Sequence, residues 1–339
     1  MEQEVVTVGL DLAKNVFPVH AVGIDGAVLI RRKLRRAEVI SFFGKLPPCL
    51  IGMEACASAH HWARELMALG HEVRLMPPAY VKPYVKRGKT DAADAEAICE
   101  AVTRPTMRFV AVKTVEQQAV LMLHKSRDLL VRQRTTLINA LRGHLAELGI
   151  VTSVGAGGVT ASLKALHEEQ ERLPDHARSA LHGIAAQLRA LTSEIERLET
   201  QILAWHRSDE TSRRLATIPG IGPITASAIA AAVPDASLFR SGRQFAAWLG
   251  LTPRPHSSGG KERLGGITKQ GDGYLRRLLV VGATAVMRMA RKDASRQPWM
   301  AQLLERKPTK IATVALANKT ARIAWAVMAR KEVYAASVA

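Results

Sequence analysis

Cysteine is scarce in this chain: Cys49, Cys56 and Cys99 are the only three in 339 residues, and no two form a CxxC pair. That argues against a zinc site or a disulfide framework and places the chain in a reducing, cytoplasmic setting. Aromatic residues make up only 4%, too few for base-stacking platforms to dominate any nucleic-acid binding. No apolar run reaches the ~20 residues that a membrane span needs. The first residues, MEQEVVTVGLDLAK, lack the basic flank and small-residue cleavage site of a secretory leader. Acid is the remaining shortage. Asp and Glu number 30 against 48 Lys and Arg, a formal net charge of +18. The excess is uneven: from Arg254 to Lys331, 17 basic residues stand against four acidic ones. A surface charged only for solubility would mix the signs. Clustered Lys and Arg gain affinity for polyanions by releasing counterions from phosphates, so the partner is a nucleic acid.

The length predicts two or three units. Glu4–Leu10, Val16–Val22, Ala27–Lys33, Leu50–Glu54 and Glu72–Met76 read as strands, with a helix over His61–Leu69 closed by Gly70. This is an α/β unit with a mixed sheet, over residues 1–112. Val115–Leu148 turns helical, and Val151–Val159 reads as a Gly-rich break. Leu181, Ile184, Leu188, Leu191, Ile195, Leu198, Ile202 and Trp205 then alternate spacings of three and four, a coiled-coil seam. The two helical stretches, within residues 113–210, can pair inside one chain or between chains. Residues 211–339 form a basic, all-helical unit with helices over Ile224–Val233, Gln244–Leu249, Gly273–Met289 and Ile311–Met328.

Three stretches carry chemistry. In RGKTDAADAEAI (Arg87 to Ile98), Thr90 is a good helix cap, which sets Asp91 and Asp94 on one face of the first turn. Acids there also complement the helix dipole, so the spacing alone does not decide. Asp11 and Glu54, however, each end a strand, a position that carboxylates fill poorly. If those strands are parallel neighbours, both acids emerge at the carboxyl edge, where open α/β sheets place their sites. Four converging carboxylates would repel one another unless a cation sat between them, and hard oxygen ligands select Mg²⁺ or Mn²⁺. The second stretch, Pro219-Gly220-Ile221-Gly222, is a tight turn between apolar helices, a helix-hairpin-helix pattern. Gly220 and Gly222 could bring backbone N–H groups to a phosphate, or simply cap an αα-hairpin. The third runs from Gly250 to Leu279. Its Ser257-Ser258-Gly259-Gly260 lies among Arg254, His256, Lys261, Arg263 and Lys269, with Arg276 and Arg277 beyond. Nearby cations make a serine a usable nucleophile toward a phosphodiester, while a polar Ser/Gly loop is the plainer reading.

Together these stretches resemble a known family. VGLDLAK (Val8 to Lys14), GMEAC (Gly52 to Cys56), RGKTDAADAEAI, IPGIG (Ile218 to Gly222) and FAAWLGLTPRPHSSGGKERLGGITKQGDGYLRRLL (Phe245 to Leu279) are similar to the DEDD transposases of the insertion-sequence 110 family. These are bridge-RNA-guided serine recombinases, and the chain is most like their insertion-sequence 1111 subgroup. The resemblance implies a RuvC-like, ribonuclease H-type amino-terminal domain, a coiled-coil middle and a helical transposase domain. It implies metal ligation by Asp11, Glu54, Asp91 and Asp94, and Ser258 as the nucleophile. It further implies donor and target DNA and a non-coding guide RNA. The heptad seam from Leu181 to Trp205 is too exposed on a lone helix, which predicts a homo-oligomer, a dimer or a tetramer holding two duplexes. One departure is local: many relatives follow the metal-binding Glu with Thr-Gly or Gly-Gly, where this chain has Cys56-Ala57-Ser58. Two other functions fit the composition, a RuvC-like junction nuclease and a non-catalytic nucleic-acid-binding protein. The Ser258 region argues against the first, and loss of strand exchange in an Asp91→Asn variant that still binds RNA would exclude the second.

Overall fold

The computed structural model describes residues 4–86, 90–256, 263–292 and 298–335. The chain forms two compact units, Met1–Gln118 with Val233–Leu238, and Ala119–Ala232 with Phe239–Ala339.

The first unit is a five-stranded mixed sheet with helices on both faces. Its elements are β1 (Thr7–Leu10), β2 (Val16–Val22), β3 (Val28–Arg35), α1 (Val39–Phe43), β4 (Leu50–Glu54), α2 (Ala59–Ala68), β5 (Glu72–Met76), α3 (Pro78–Val81) and α4 (Asp91–Val102). Strand order is β3-β2-β1-β4-β5. β1 pairs with β4, and β4 with β5, in parallel; β2 runs antiparallel to β1 and β3. Alternation along the strands separates two faces. Val8, Leu10, Ile51 and Met53 pack with Phe17, Phe43, Trp62 and Leu66, so α1 and α2 cover this side. The opposite face carries α4.

α4 comes unusually near the sheet, and two glycines explain it. Gly9 and Gly52 are register partners on β1 and β4. A Cβ on Gly9 would lie 2.1 Å from the Ala95 carbonyl oxygen and 2.5 Å from the Cys99 nitrogen. One on Gly52 would lie 2.8 Å from Cβ of Val102. The bare backbone of two neighbouring strands is therefore the bed on which α4 rests. Gly9→Ala should cost about 3 kcal/mol or more in a denaturant titration, because helix backbone has to move. Gly52→Ala should cost less, since its closest approach, 2.8 Å to Val102 Cβ, is looser than the 2.1 Å to backbone at Gly9.

The second unit is helical apart from one hairpin: α5 (Val115–Glu147), which starts in the first unit, α6 (Ala156–Glu168), α7 (Asp175–Ser208), α8 (Glu210–Leu215), α9 (Pro223–Ala232), α10 (Gly242–Trp248), β6 (Pro253–Pro255), β7 (Leu264–Ile267), α11 (Gly273–Lys292), α12 (Pro298–Arg306) and α13 (Thr309–Arg330). The stretch read as a Gly-rich break in fact starts α6 at Ala156, with Gly157 and Gly158 in its first turn. A Cβ on Gly158 would strike the Ser153 carbonyl oxygen at 1.9 Å, so the glycine lets the preceding loop fold against the helix.

The pairing of the long helices, open in the sequence, is settled within one chain. Leu141 and Leu145 of α5 pack with Leu181, Ala185 and Leu188 of α7, and Arg127 pairs with Glu199 at 2.5 Å. Early positions on α5 thus meet late positions on α7, so the pair is antiparallel. Leu181, Leu188, Ile195, Leu198 and Ile202 are all buried. The seam is satisfied without a second copy, which removes the exposed-seam argument for oligomerisation.

A fully buried histidine ties three of these helices together. Tyr274 at the start of α11 donates its hydroxyl to Nδ1 of His124 on α5, and Nε2 donates to Oγ of Ser227 on α9, both at 3.1 Å. The Ser227 hydroxyl in turn donates a hydrogen bond to the Pro223 carbonyl at 2.7 Å. Burial, then the charge of Arg127, pushes the His124 pKa down to about 4. The folded state therefore holds His124 neutral, while the unfolded chain takes up a proton near pH 6.5. Its stabilising contribution is complete above pH 6.5 and is lost as pH falls toward 4, on the order of 3 kcal/mol in all. His124→Gln should be less stable at pH 7.5 and should show a flatter dependence of unfolding midpoint on pH over that window.

Candidate active site

Glu54 is the last residue of β4, and Asp11 follows directly on β1. Leu10 stands opposite Met53 in a parallel pair, so the next residues, Asp11 and Glu54, are side by side at the carboxyl edge. The alternation that puts Gly9 and Gly52 under α4 puts Glu54 on that same face, and Asp11 continues the row. Both are half-buried. The thiol of Cys56 records their field: burial raises its pKa, and the charges of Glu54 and Asp11 raise it further. Ser58, ending the Cys56-Ala57-Ser58 departure, sits at φ 71°, a conformation that costs a non-glycine residue about 1 kcal/mol.

Thr90 caps α4 as expected, its hydroxyl accepting from the Ala93 nitrogen at 3.3 Å. Asp91 and Asp94 lie in the first turn. α4 crosses the sheet obliquely, from Ala93 near β2 and β3, over Gly9 with Ala95 and Cys99, to Gly52 with Val102. Its acidic end consequently lies toward β3, where Lys33 meets Asp91 at 3.8 Å. Lys33 pairs with Pro18, whose carbonyl accepts from the Asp11 nitrogen. One row across the sheet therefore reads Lys33, Pro18, Asp11, Glu54. Lys33 is two strand spacings, roughly 10 Å, from Asp11. Among the described residues no three His, Cys, Asp or Glu side chains converge to hold a metal ion. The structure brings Asp11 and Glu54 together, sets Asp91 and Asp94 on the same edge and face, and directs Asp91 to Lys33. Two adjacent hard carboxylates fit a divalent cation; for Asp91 to join them it would have to leave Lys33. Both of those side chains are largely exposed, so that pair holds by no more than ~1 kcal/mol.

In the second unit, α8 and α9 flank the Pro219–Gly222 turn, and its two glycines do different work. Gly220, at φ 86°, lies against α11; a Cβ on Gly282 would come within 1.9 Å of its carbonyl oxygen. Gly222 is exposed, with nothing within 4 Å of its Cβ position. Only Gly222 leaves backbone open to a phosphate, at the start of α9. The Ser-Gly stretch joins β6 to β7, an antiparallel pair closed by His256 donating to the Arg263 carbonyl at 2.7 Å. Ser257, Ser258 and Lys261 lie outside the described residues. Arg254 reaches across the pair to the Thr268 carbonyl at 2.8 Å. Lys269 is exposed in a left-handed conformation, φ 56°. Arg276 donates to the carbonyls of Leu249 and Gln270, both at 2.9 Å, which fastens α10 to the start of α11. Arg277 pairs with Asp128 and covers the Tyr274 ring at 5.6 Å. Both arginines thus have structural partners that sequence reasoning did not supply.

Residues 8–150, which hold all four acids, match a family described as "Transposase", the DEDD transposases of IS110 type. Residues 212–300, which hold the glycine turn and the Ser-Gly stretch, match the "Transposase IS116/IS110/IS902 family". A "Probable family 20 transposase" of Pseudomonas aeruginosa is 53% identical over 96% of this chain and 98% of its own length. The "Transposase for insertion sequence element IS1328" of Yersinia enterocolitica is 42% identical over 97% and 98%. That for IS1111A of Coxiella burnetii is 40% identical over 98% and 92%.

The chain belongs to the IS110 family of insertion-sequence transposases.

For this transposase the amino-terminal match falls on a mixed α/β sheet and the carboxyl-terminal match on helices, as the sequence predicted. No helix among the described residues is long and apolar enough to cross a membrane. Sequence reasoning missed Lys33 as the partner of Asp91 and Cys56 as the neighbour of Asp11 and Glu54. The signal for Lys33 lay in β2–β3 register, which single-strand patterns do not carry.

Proposed function

We propose that this transposase cuts and exchanges DNA strands by transesterification, with Ser258 as the nucleophile and Asp11, Glu54, Asp91 and Asp94 holding magnesium, or manganese. The observation that carries the reading is the pairing of β1 with β4, which sets two carboxylates side by side at the edge of a strongly basic chain. The acids belong to residues 1–112, a RuvC-like domain, 113–210 supply the coiled-coil region, and 211–339 the helical transposase domain. A bound divalent ion would supply charge stabilisation for the phosphoryl oxygens. Arg254, Lys261, Arg263 and Lys269 hold strand phosphates around the Ser-Gly stretch, with Arg277 and Gly222 extending the contact. In the step itself the Ser258 oxygen bonds to phosphorus, the bond from phosphorus to a deoxyribose oxygen breaks, and that oxygen leaves as a hydroxyl. A non-coding guide RNA pairs with donor and target DNA, and a homo-oligomer, a dimer or tetramer, holds both duplexes.

The reading is tested with the full chain purified from cells carrying its element. RNA extracted from it should contain one abundant species encoded beside the transposase frame. With that RNA and DNA bearing the element ends, strand cleavage should occur in Mg²⁺ and stop in excess chelator. Cleavage that is indifferent to both RNA and chelator would reject the proposal.

A further inference from the structure

The edge that carries Asp11 and Glu54 continues past β4. Met76, the last residue of β5, stands beside Glu54, and α3 follows after Pro77. Val110 pairs antiparallel with Leu75, which returns Arg108 to the level just beyond the end of β5. Between α3 and this returning segment opens a pocket of about 420 Å³, lined by Tyr80, Pro83, Tyr84, Met107 and Arg108 among others. Its size falls in the ~300–1,000 Å³ range of small-ligand sites.

Its chemistry is specific. The chain has only four tyrosines, and two of them line this one pocket. Tyr80 is 44% exposed, so its ring is not core packing. Arg108 is exposed and no carboxylate is among the lining residues; Arg104, 5.9 Å from the Tyr84 ring centre, is already paired with Glu100 at 2.6 Å. Flat apolar faces beside the exposed Arg108 guanidinium match a flat aromatic group joined to an anion, and a nucleobase with its phosphate is such a group. Bases stack on aromatic side chains whatever their sequence. Met76 is one strand spacing, ~4.8 Å, from Glu54, so a strand whose base entered here would pass its phosphates along the acidic edge.

We infer that the Tyr80–Tyr84 pocket receives an unstacked nucleobase of a single polynucleotide strand running along the Asp11–Glu54 edge. The inference rests on the proposed role of that edge. A base seated one strand away fixes which phosphate lies beside the two acids, so the pocket positions the cut rather than performing it.

The test uses the full chain with a short single-stranded DNA carrying one 2-aminopurine, and an RNA of the same sequence carrying the same probe. Stacking on Tyr80 quenches the probe. Tyr80→Ala should abolish the quench and weaken binding about tenfold, whereas Tyr80→Trp, which keeps a ring, should retain both. Whichever polynucleotide loses its quench in Tyr80→Ala is the one that occupies the pocket. A quench unchanged in Tyr80→Ala with both probes, or absent with both in the unmodified chain, overturns the inference. Retention in Tyr80→Trp shows that loss in Tyr80→Ala is not misfolding. Asp11→Asn separates the two readings: it should keep the quench and lose cutting. Normal cutting by Asp11→Asn would remove the metal reading, while the quench would still judge the pocket.

Discussion

With Ser258 as the proposed nucleophile, Ser258→Ala should lose no affinity for DNA or for the proposed guide RNA, yet give no protein–DNA adduct on a denaturing gel. A hydroxyl that attacks a phosphodiester develops negative charge on the phosphoryl oxygens, and ordinary serine is too weakly acidic to attack unaided. The proposed site supplies both missing elements, a cation at the acidic edge and the arginines and lysines around the Ser-Gly stretch. The proposed nucleophile is Ser258 rather than Ser257; Ser257→Ala should therefore leave some adduct. The acids belong to one compact unit and the β6–β7 pair flanking Ser258 to the other. If two subunits share a site, mixing Ser258→Ala with Asp91→Asn protomers should restore part of the strand exchange. An adduct at normal yield in Ser258→Ala would move the nucleophile, with Ser257 the first suspect.

Asp11→Asn and Glu54→Gln should each lower Mg²⁺-dependent cleavage by about two orders of magnitude or more, the scale of losing one transition-state charge stabiliser. Neither should unfold the protein. Two half-buried carboxylates on adjacent strand ends repel each other, so neutralising one relieves that repulsion when no cation is present. The thermal midpoint in chelator should hold or rise, and added Mg²⁺ should no longer raise it. Asp91→Asn is expected to behave likewise in cleavage, and Lys33→Gln is its control. The Lys33–Asp91 pair is exposed and weak, so its loss alone should leave cleavage nearly intact. Full strand exchange by Asp11→Asn in Mg²⁺ would end the four-acid reading.

The sheet was legible because its strands are short, apolar and bounded by turns. Val16–Val22, Leu50–Glu54 and Glu72–Met76 stand as read. β1 begins at Thr7 rather than Glu4, because the sheet contacts that define a strand start later than the apolar run does. The acids could be placed at strand ends from sequence; that β1 and β4 are neighbours could not, since pairing is a long-range fact. The β6–β7 pair escaped notice because Pro253, Pro255, Gly265 and Gly266 are poor strand residues, held here by pairing and by Arg254. The glycines told the least by pattern. Gly9 and Gly52 look like ordinary strand residues until a helix is laid on them, and Gly220 resembles Gly222 until α11 is packed against it.

The antiparallel pairing of α5 and α7 has a consequence for changes in length. Each helix has 33 or 34 residues, about 50 Å at 1.5 Å per residue, and the two are locked by Leu141 and Leu145 at one end and Arg127–Glu199 further along. Inserting one residue in α7 alone would turn everything beyond it by about 100° and swing the buried leucines into water. Adding seven to each partner, at facing levels, would return every side chain to its own stripe. The rod can thus be lengthened only in matched whole repeats, by about 10 Å at a time, which makes it a spacer graduated in fixed steps.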